Sequence, residues 1–457
     1  MHRVSATRSE RLTARAALAL IALSGCSDHQ PYLTSPRNET PSFLVAAGGG
    51  TWMTKASALH PVVAPGGAVL NQQFYVASEG LPPESYSQTD LQVYDPATNA
   101  WTNKTPASIG RVYARAAGIG GKFYVVGGCV NFSPSTGGDC RIGTTNLLQA
   151  YDPLTDAWTT KSSMPTPRFL AAAGVIGGKL YVAGGYGPCP PCNRLTALEV
   201  YDPTTDGWTS LAPMPGGRGD VEGAVVNSKL YVIGTEENTF TATLDVYDTA
   251  TDSWSSGTPM STPRGNPGVG EVNGIIYAVS GSLSPGFANT VEAYDPASDS
   301  WVAVAPIPSV VYIPATVSIG GALYIVGQNS NGASTMLQAF TPAYPFSGFF
   351  SPVNDPDTVN VAKAGSAIPV KFSLGSDLGL NILSAGSPSS AAYACGAGPT
   401  DAIDQTVAAT TSGLQYDPTA NQYIYTWKTD KGWVGTCRKF SLGLADGSTH
   451  VALFQFK

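Results

Sequence analysis

Apolar residues in this chain fall in short runs, and long stripes with helical period are absent. One set of runs holds a tyrosine: Tyr75, Tyr124, Tyr181, Tyr231, Tyr277 and Tyr324. A second set ends in Tyr-Asp, with a tryptophan seven residues after the tyrosine: Tyr94/Trp101, Tyr151/Trp158, Tyr201/Trp208, Tyr247/Trp254 and Tyr294/Trp301. Gly-Gly and Asp-Pro pairs punctuate the runs and supply tight turns. Short apolar runs bounded by such turns predict β-strands.

The spacings turn these strands into a repeat. From each tryptophan to the next strand tyrosine is 23 residues, six times over, beginning with Trp52 to Tyr75. From the first tyrosine to the second the distance varies: 19, 27, 20, 16, 17, and 16 to Phe340. Every change of length therefore sits in one connection of the unit. Trp52 has no Tyr-Asp before it, and Phe340 has no tryptophan seven residues after it. The two ends complete each other, which predicts that the strand around Thr51–Lys55 joins the unit ending near Phe340.

Composition agrees with an all-β protein: 51 glycines, 35 prolines and 12% charged residues. Residues 1–25 read as a lipoprotein-type signal peptide. Arg3, Arg8, Arg11 and Arg15 form a basic n-region, and Ala16–Leu23 is apolar but too short to span a bilayer. The segment ends in Leu23-Ser24-Gly25-Cys26, which resembles a bacterial lipobox, and the resemblance implies a diacylglycerol on Cys26 and membrane attachment through it. An ordinary secretory signal is the alternative. Residues 26–48 read as a linker. The whole chain has 25 basic and 32 acidic residues; without the signal's four arginines and Glu10, 21 and 31 remain, a balance of about −10 that argues against nucleic-acid binding.

The repeat resembles the kelch motif. Arg168–Gly185 runs through an apolar strand, Gly177-Gly178 and a tyrosine strand, then continues to Tyr201-Asp202-Pro203 and Trp208. Arg111–Gly128 matches nearly as well. The glycine pair after the tyrosine strand survives at Gly127-Gly128 and Gly184-Gly185. The resemblance implies a six-bladed kelch-type β-propeller over residues 49–344. Each blade has strands a to d, with strand a innermost and small (Ala171-Ala172-Ala173-Gly174) and the blades ringing a channel.

In that arrangement the b–c and d–a loops share one face. The variable b–c loops sit there, and varied loops on a rigid scaffold are where binding residues gather. Arg111, Arg168, Arg218 and Arg264 share one repeat position, at the start of strand a, where blades one and six have Val62 and Val311. Two readings follow. The arginines bind an anionic ligand, such as a carboxylate sugar or an acidic peptide, or they bond loop carbonyls and aspartates between blades. Asp220, Glu222, Glu236 and Glu237 cluster in blade four and could neutralise neighbouring arginines.

The main functional expectation is an exported binding protein of the cell envelope, taking a protein or glycan ligand on the b–c/d–a face. The alternative is a carbohydrate-active enzyme. Exported bacterial kelch propellers include sialic-acid mutarotases, and the candidates for proton work here are Glu222 and Glu271 with the four arginines. Other chemistry finds no support. Only His60 lies in the propeller, with His2, His29 and His450 outside it, so the two-histidine, two-tyrosine copper site of kelch-type oxidases cannot be assembled. No metal, cofactor, phosphate loop or Ser-His-Asp set is indicated.

Besides Cys26, six cysteines form three local groups: Cys129 with Cys140, Cys189 with Cys192, and Cys395 with Cys437. After export they suggest disulfides. A bridge between the blade-two and blade-three loops is an alternative to local pairing. Residues 345–457 leave the repeat. Pro369-Val370-Lys371-Phe372, Trp427-Lys428-Thr429-Asp430 and the terminal Ala452-Leu453-Phe454-Gln455-Phe456 resemble the small PxKF-type domain of exported bacterial proteins. That family implies a β domain and no activity. A β-sandwich stapled by Cys395–Cys437 is the expectation.

Overall fold

The computed structural model describes residues 49–457, apart from 80–88, 131–139, 141–142, 236–241, 284–285, 330–331, 397–398, 404–405 and 407–412. The signal, the linker, Cys26, Glu236 and Glu237 lie outside the described residues.

Six four-stranded antiparallel sheets form the propeller, and in five of them the strands follow chain order. The sixth carries Tyr312–Ile319, Ala322–Gln328 and Leu337–Thr341, and its outer strand is Thr51–Thr54 from the chain's beginning. Trp52 stands opposite Phe340 in that pairing, and the Lys55 amide extends it to the Leu337 carbonyl at 3.0 Å. The inner strands of the six blades touch in cyclic order, one through six and back to one.

The repeated aromatics explain why like-sized blades close. Each strand-b tyrosine packs on the strand-c ring of the next blade, with centroids 5.6–6.3 Å apart, from Tyr75 on Tyr151 round to Tyr324 on Tyr94. Each of the six tryptophans donates its indole N–H to a carbonyl of the preceding blade at 2.7–2.9 Å. A third element was not read from the repeat. Five residues after each Tyr-Asp tyrosine stands Asn99, Asp156, Asp206, Asp252 or Asp299, all with positive φ. Each accepts the tyrosine hydroxyl at 2.6–2.7 Å and a backbone N–H of the preceding blade at 2.7–3.1 Å. One side chain thus fixes its own turn and the blade beside it.

Glycine matters where inner strands converge. A Cβ on Gly223 would lie 2.5 Å from the Ala173 carbonyl oxygen of the neighbouring blade. The crowding is a consequence of packing strand a of one blade against the next.

Residues beyond the propeller form two further sheets around one core of Phe349, Phe372, Trp427, Phe440, Phe454 and their neighbours. Pro369–Phe372 lies in the strand Ala367–Phe372, Trp427 in Gln422–Lys428 and the terminal apolar run in Thr449–Phe456, which pairs with Cys437–Gly443. Val359–Ala362 inserts parallel to both Thr449–Phe456 and Thr400–Ala402, so the second sheet is mixed. Disulfides join Cys129–Cys140, Cys189–Cys192 and Cys395–Cys437.

Candidate functional site

The b–c and d–a loops do meet on one face. Backbone bridges tie them in pairs, including Val112 to Cys129, Phe169 to Tyr186 and Gly265 to Ser282. The four repeat arginines begin on this face but turn into their blades. All are at most 4% exposed. Arg168 donates to the Ala197 and Gly184 carbonyls at 2.7 and 3.0 Å and pairs with Glu199 at 2.9 Å. Arg264 does the same with Thr290, Ser280 and Glu292, and Arg218 pairs with Asp245 at 2.5 Å. Arg111 reaches the Leu147 carbonyl at 3.0 Å and Gln149 at 2.9 Å.

The partners share a position two residues before the strand-c tyrosine. Where Val62 and Val311 replace arginine, that position is Gln92 or Gln338, each bonded to the backbone of its own d–a loop. Burial pulls the Arg111 guanidinium down to about 10 and lowers Arg168 and Arg264, with Glu199 and Glu292 opposing. Bonds from Ser261 and the charge of Arg264 hold the Glu292 carboxyl below its usual range, although burial opposes them. The anionic-ligand role is thereby corrected to a structural one: the guanidinium forks are turned inward and their acceptors come from their own blade.

The channel wall brings a different pair together. Nine residues before the strand-b tyrosine the six blades carry Gly66, Arg115, Ala172, Glu222, Gly268 and Ala315. Four small residues leave room for the two large ones to meet. Arg115 Nη2 lies 2.6 Å from Glu222 Oε1, so a bridge from blade two to blade four spans blade three. Arg115 also donates to the Ala171 and Val221 carbonyls at 2.5 and 3.0 Å. Burial pushes the Glu222 carboxyl up to about 7, with Arg115 pulling the other way. Glu222 therefore meets an arginine, but not one of the four singled out by the repeat. The channel cavity here, lined by residues of all six inner strands, holds about 120 Å³.

Glu271 does not join this pair. It sits at the far end of strand a and accepts the Gly274 amide at 2.5 Å in the a–b turn. Its place is the opposite face.

Above the Arg115–Glu222 bridge the mouth is ringed by a feature the sequence did not disclose. Ala64, Tyr113, Leu170, Asp220, Asn266 and Ile313 occupy one repeat position, and all have φ between 42 and 60°. Left-handed backbone at leucine, isoleucine and tyrosine is uncommon and marks a position over-determined by its surroundings. Backbone bonds of 2.9–3.4 Å run round the mouth between these loops: Tyr113 N–H to Ala64, Leu170 to Tyr113, Val221 to Leu170, and Asn266 to Asp220.

Aromatic rings flank a polar quadrant of the mouth. Tyr113, Phe169 and Tyr186 pack in series, with centroids 6.1 and 5.3 Å apart, and Tyr312 packs on Phe287 at 5.4 Å. Between the two groups Asp220 accepts from the Tyr186 hydroxyl and from Asn266 Nδ2, both at 2.8 Å. Arg194 lies 5.3 Å over the Tyr186 ring. Burial, reinforced by Asp220, raises the Tyr186 and Tyr312 hydroxyls above their ordinary value. Among the described residues no cluster of three or more His, Cys, Asp or Glu is placed to hold a metal.

The family model of the KLHDC2/KLHL20/DRC7 kelch-repeats domain matches residues 66–268, and that of the kelch motif matches residues 263–308. Kelch repeat and BTB domain-containing protein 12 of Danio rerio is 29% identical over 153 residues, 30% of this chain and 24% of that protein. Kelch-like protein terF of Aspergillus terreus is 28% identical over 176 residues, 36% of this chain and 35% of that protein. The chain thus spans about a quarter to a third of the length of these curated relatives. The solved structure of YjhT superposes with a TM-score of 0.53 at 17% identity, over 62% of this chain and 95% of that one, a likeness of fold. With six four-stranded blades and the kelch matches spanning residues 66–308, the propeller belongs to the kelch-repeat β-propeller domain family.

Proposed function

We propose that the propeller recognises a glycan at the channel mouth, on the face shared by the b–c and d–a loops. One observation carries the reading: Asp220, with acceptor capacity on both oxygens, stands between the Tyr113–Phe169–Tyr186 series and the Phe287–Tyr312 pair. Sugar rings stack on aromatic faces and donate hydroxyls to carboxylates, so the chemistry suits a polyhydroxylated ligand. The channel below, at about 120 Å³, is far smaller than the roughly 300–1,000 Å³ of small-molecule sites, which favours seating at the mouth. With the four repeat arginines spent inside their blades, the support runs toward neutral sugars over acidic ones.

The test is a glycan-binding screen of the purified chain, followed by Tyr186→Ala and Asp220→Asn in the same format. A glycan that binds the parent and loses most of its affinity with either substitution supports the reading. Equal binding by parent and both variants sinks it.

A second reading rests on Glu222. A carboxyl held near neutrality can exchange protons at physiological pH, and Glu222 stands two residues beyond Asp220 on the same strand. It would make the mouth an anomer-interconverting site of mutarotase type. Saturation-transfer NMR on sugar anomers decides it: catalysed exchange that disappears in Glu222→Gln supports turnover, and its absence in the parent leaves recognition alone.

We also propose export and attachment to a membrane by a lipid on Cys26, with residues 345–457 as a PxKF-type domain. The Leu-Ser-Gly-Cys sequence supports the first and the Pro-Val-Lys-Phe strand the second. Intact-mass measurement after expression in a bacterial host should show a diacylglyceryl addition at Cys26. A soluble product without acyl mass ends the anchoring proposal.

A further inference from the structure

The arginine sockets of the blades are built to a common plan. In blades two, three and five, the guanidinium meets the carbonyl four residues before the strand-c aromatic (Leu147, Ala197, Thr290). In blades two to five it also meets a strand-c side chain two residues before that aromatic: Gln149, Glu199, Asp245 or Glu292. In blades three and five that side chain also holds the d–a backbone, with Glu199 accepting the Thr166 amide and Glu292 the Thr262 amide.

Blade six keeps the frame but supplies no guanidinium of its own. Val311 occupies the arginine position, Met336 the carbonyl position and Gln338 the strand-c position. Gln338 grips Ser309 through two bonds, of 3.1 Å from its amide and 2.8 Å to its carbonyl, as Glu199 and Glu292 grip their loops. Because valine stops short, Val311, Met336 and Gln338 line a cavity of about 360 Å³ together with Asn289, Ser309 and Ser334. The cavity lies between the d–a segment and the b–c loop, hence on the recognition face.

We infer that this cavity takes a guanidinium group brought by a ligand, either an arginine side chain of a peptide or a small guanidino compound. The lining residues carry carbonyl and amide acceptors and no carboxylate. Blade two shows that such a set suffices, since Arg111 is buried against Gln149 and the Leu147 carbonyl. By repeat position the Met336 carbonyl and Gln338 correspond to the Leu147 carbonyl and Gln149 that hold the planar fork of Arg111, so an ammonium should fit the same socket poorly. The site is separate from the aromatic mouth and does not depend on what binds there.

The experiment titrates the full chain with agmatine, an arginine-containing peptide and N-acetyl-lysine amide, read by NMR chemical shifts. Saturable binding of agmatine, with the lysine compound at least about tenfold weaker, is expected. The peptide arm separates the sources: tighter binding than agmatine points to a peptide ligand, and equal binding to a free guanidino compound. Val311→Arg fills the socket from within and should abolish binding while keeping the parent melting transition. Gln338→Glu supplies the carboxylate that the sockets of blades three, four and five carry and should tighten binding about tenfold. No saturable agmatine binding to the parent, equal binding of the lysine compound, or undiminished agmatine binding to folded Val311→Arg overturns the inference.

Discussion

Arg115 and Glu222 meet at 2.6 Å although their strands belong to blades two and four, and the inner strand of blade three passes between them with alanine at the same level. The bridge links alternate blades directly, in addition to the neighbour-to-neighbour packing, and does so with both side chains largely buried.

Its first consequence is a pH dependence. The Glu222 carboxyl is raised in the folded state from 4.5 to about 7. The unfolded chain releases this proton near pH 4.5 while the folded chain keeps it until about 7. Stability therefore falls as pH rises through that window, by up to about 3 kcal/mol from this group. Urea midpoints measured from pH 4 to 8 should show the decline. Glu222→Gln should flatten it, and an unchanged slope would assign the dependence elsewhere.

The arginine sockets give a sharper stability test. Arg264→Met leaves Glu292 buried without its counter-charge and should cost about 3–5 kcal/mol. Adding Glu292→Gln should recover a large part, because blades one and six already run on Gln92 and Gln338. Equilibrium urea unfolding of the single and double variants checks the coupling; additive losses would mean the pair does not act as a unit.

Closure of the ring can be probed at Trp52. Its ring packs 5.0 Å from Phe340 and its indole N–H reaches Ala305. Trp52→Ala should cost about 2 kcal/mol, below the usual range for a fully buried tryptophan because this one is half-buried. Deleting residues 49–55 should replace one sharp propeller melt by a broad one in calorimetry. An undiminished sharp melt would show that the ring holds without its first strand.

The terminal domain has its own staple. Cys395 and Cys437 close a loop of 42 residues, for which the entropic contribution is about 3–4 kcal/mol. The double change to serine should lower the melting of this domain and leave the propeller transition in place. A loss confined to the propeller would contradict the division of the chain.

Much of the scaffold was legible because steric demands repeat. Six large aromatics at fixed spacing have to be six like blades, and the unmatched Trp52 and Phe340 announced the shared one. The site was harder. An arginine that recurs at one position says that every blade needs it, and what a blade needs is usually structural. Arg115 and Glu222 break the repeat, at a position otherwise held by glycine and alanine, and that signal was present in the sequence. The left-handed residues at the mouth left no trace, since alanine, leucine and isoleucine there violate the preference for glycine. Tyr416-Asp417-Pro418 shows the limit in the other direction. Its hydroxyl bonds Asn421 at 2.6 Å as in a blade turn, yet the strand belongs to another fold.

The pairing of Thr51–Thr54 with Leu337–Thr341 also sets a timetable. Thr51–Thr54 leaves the ribosome early and must wait for a strand made almost three hundred residues later. Until then five blades can assemble, while Thr51–Thr54 has no partner strand and keeps an open row of backbone groups. Such an edge invites pairing with other chains. A nascent chain held up before residue 341 would be the form most in need of a chaperone.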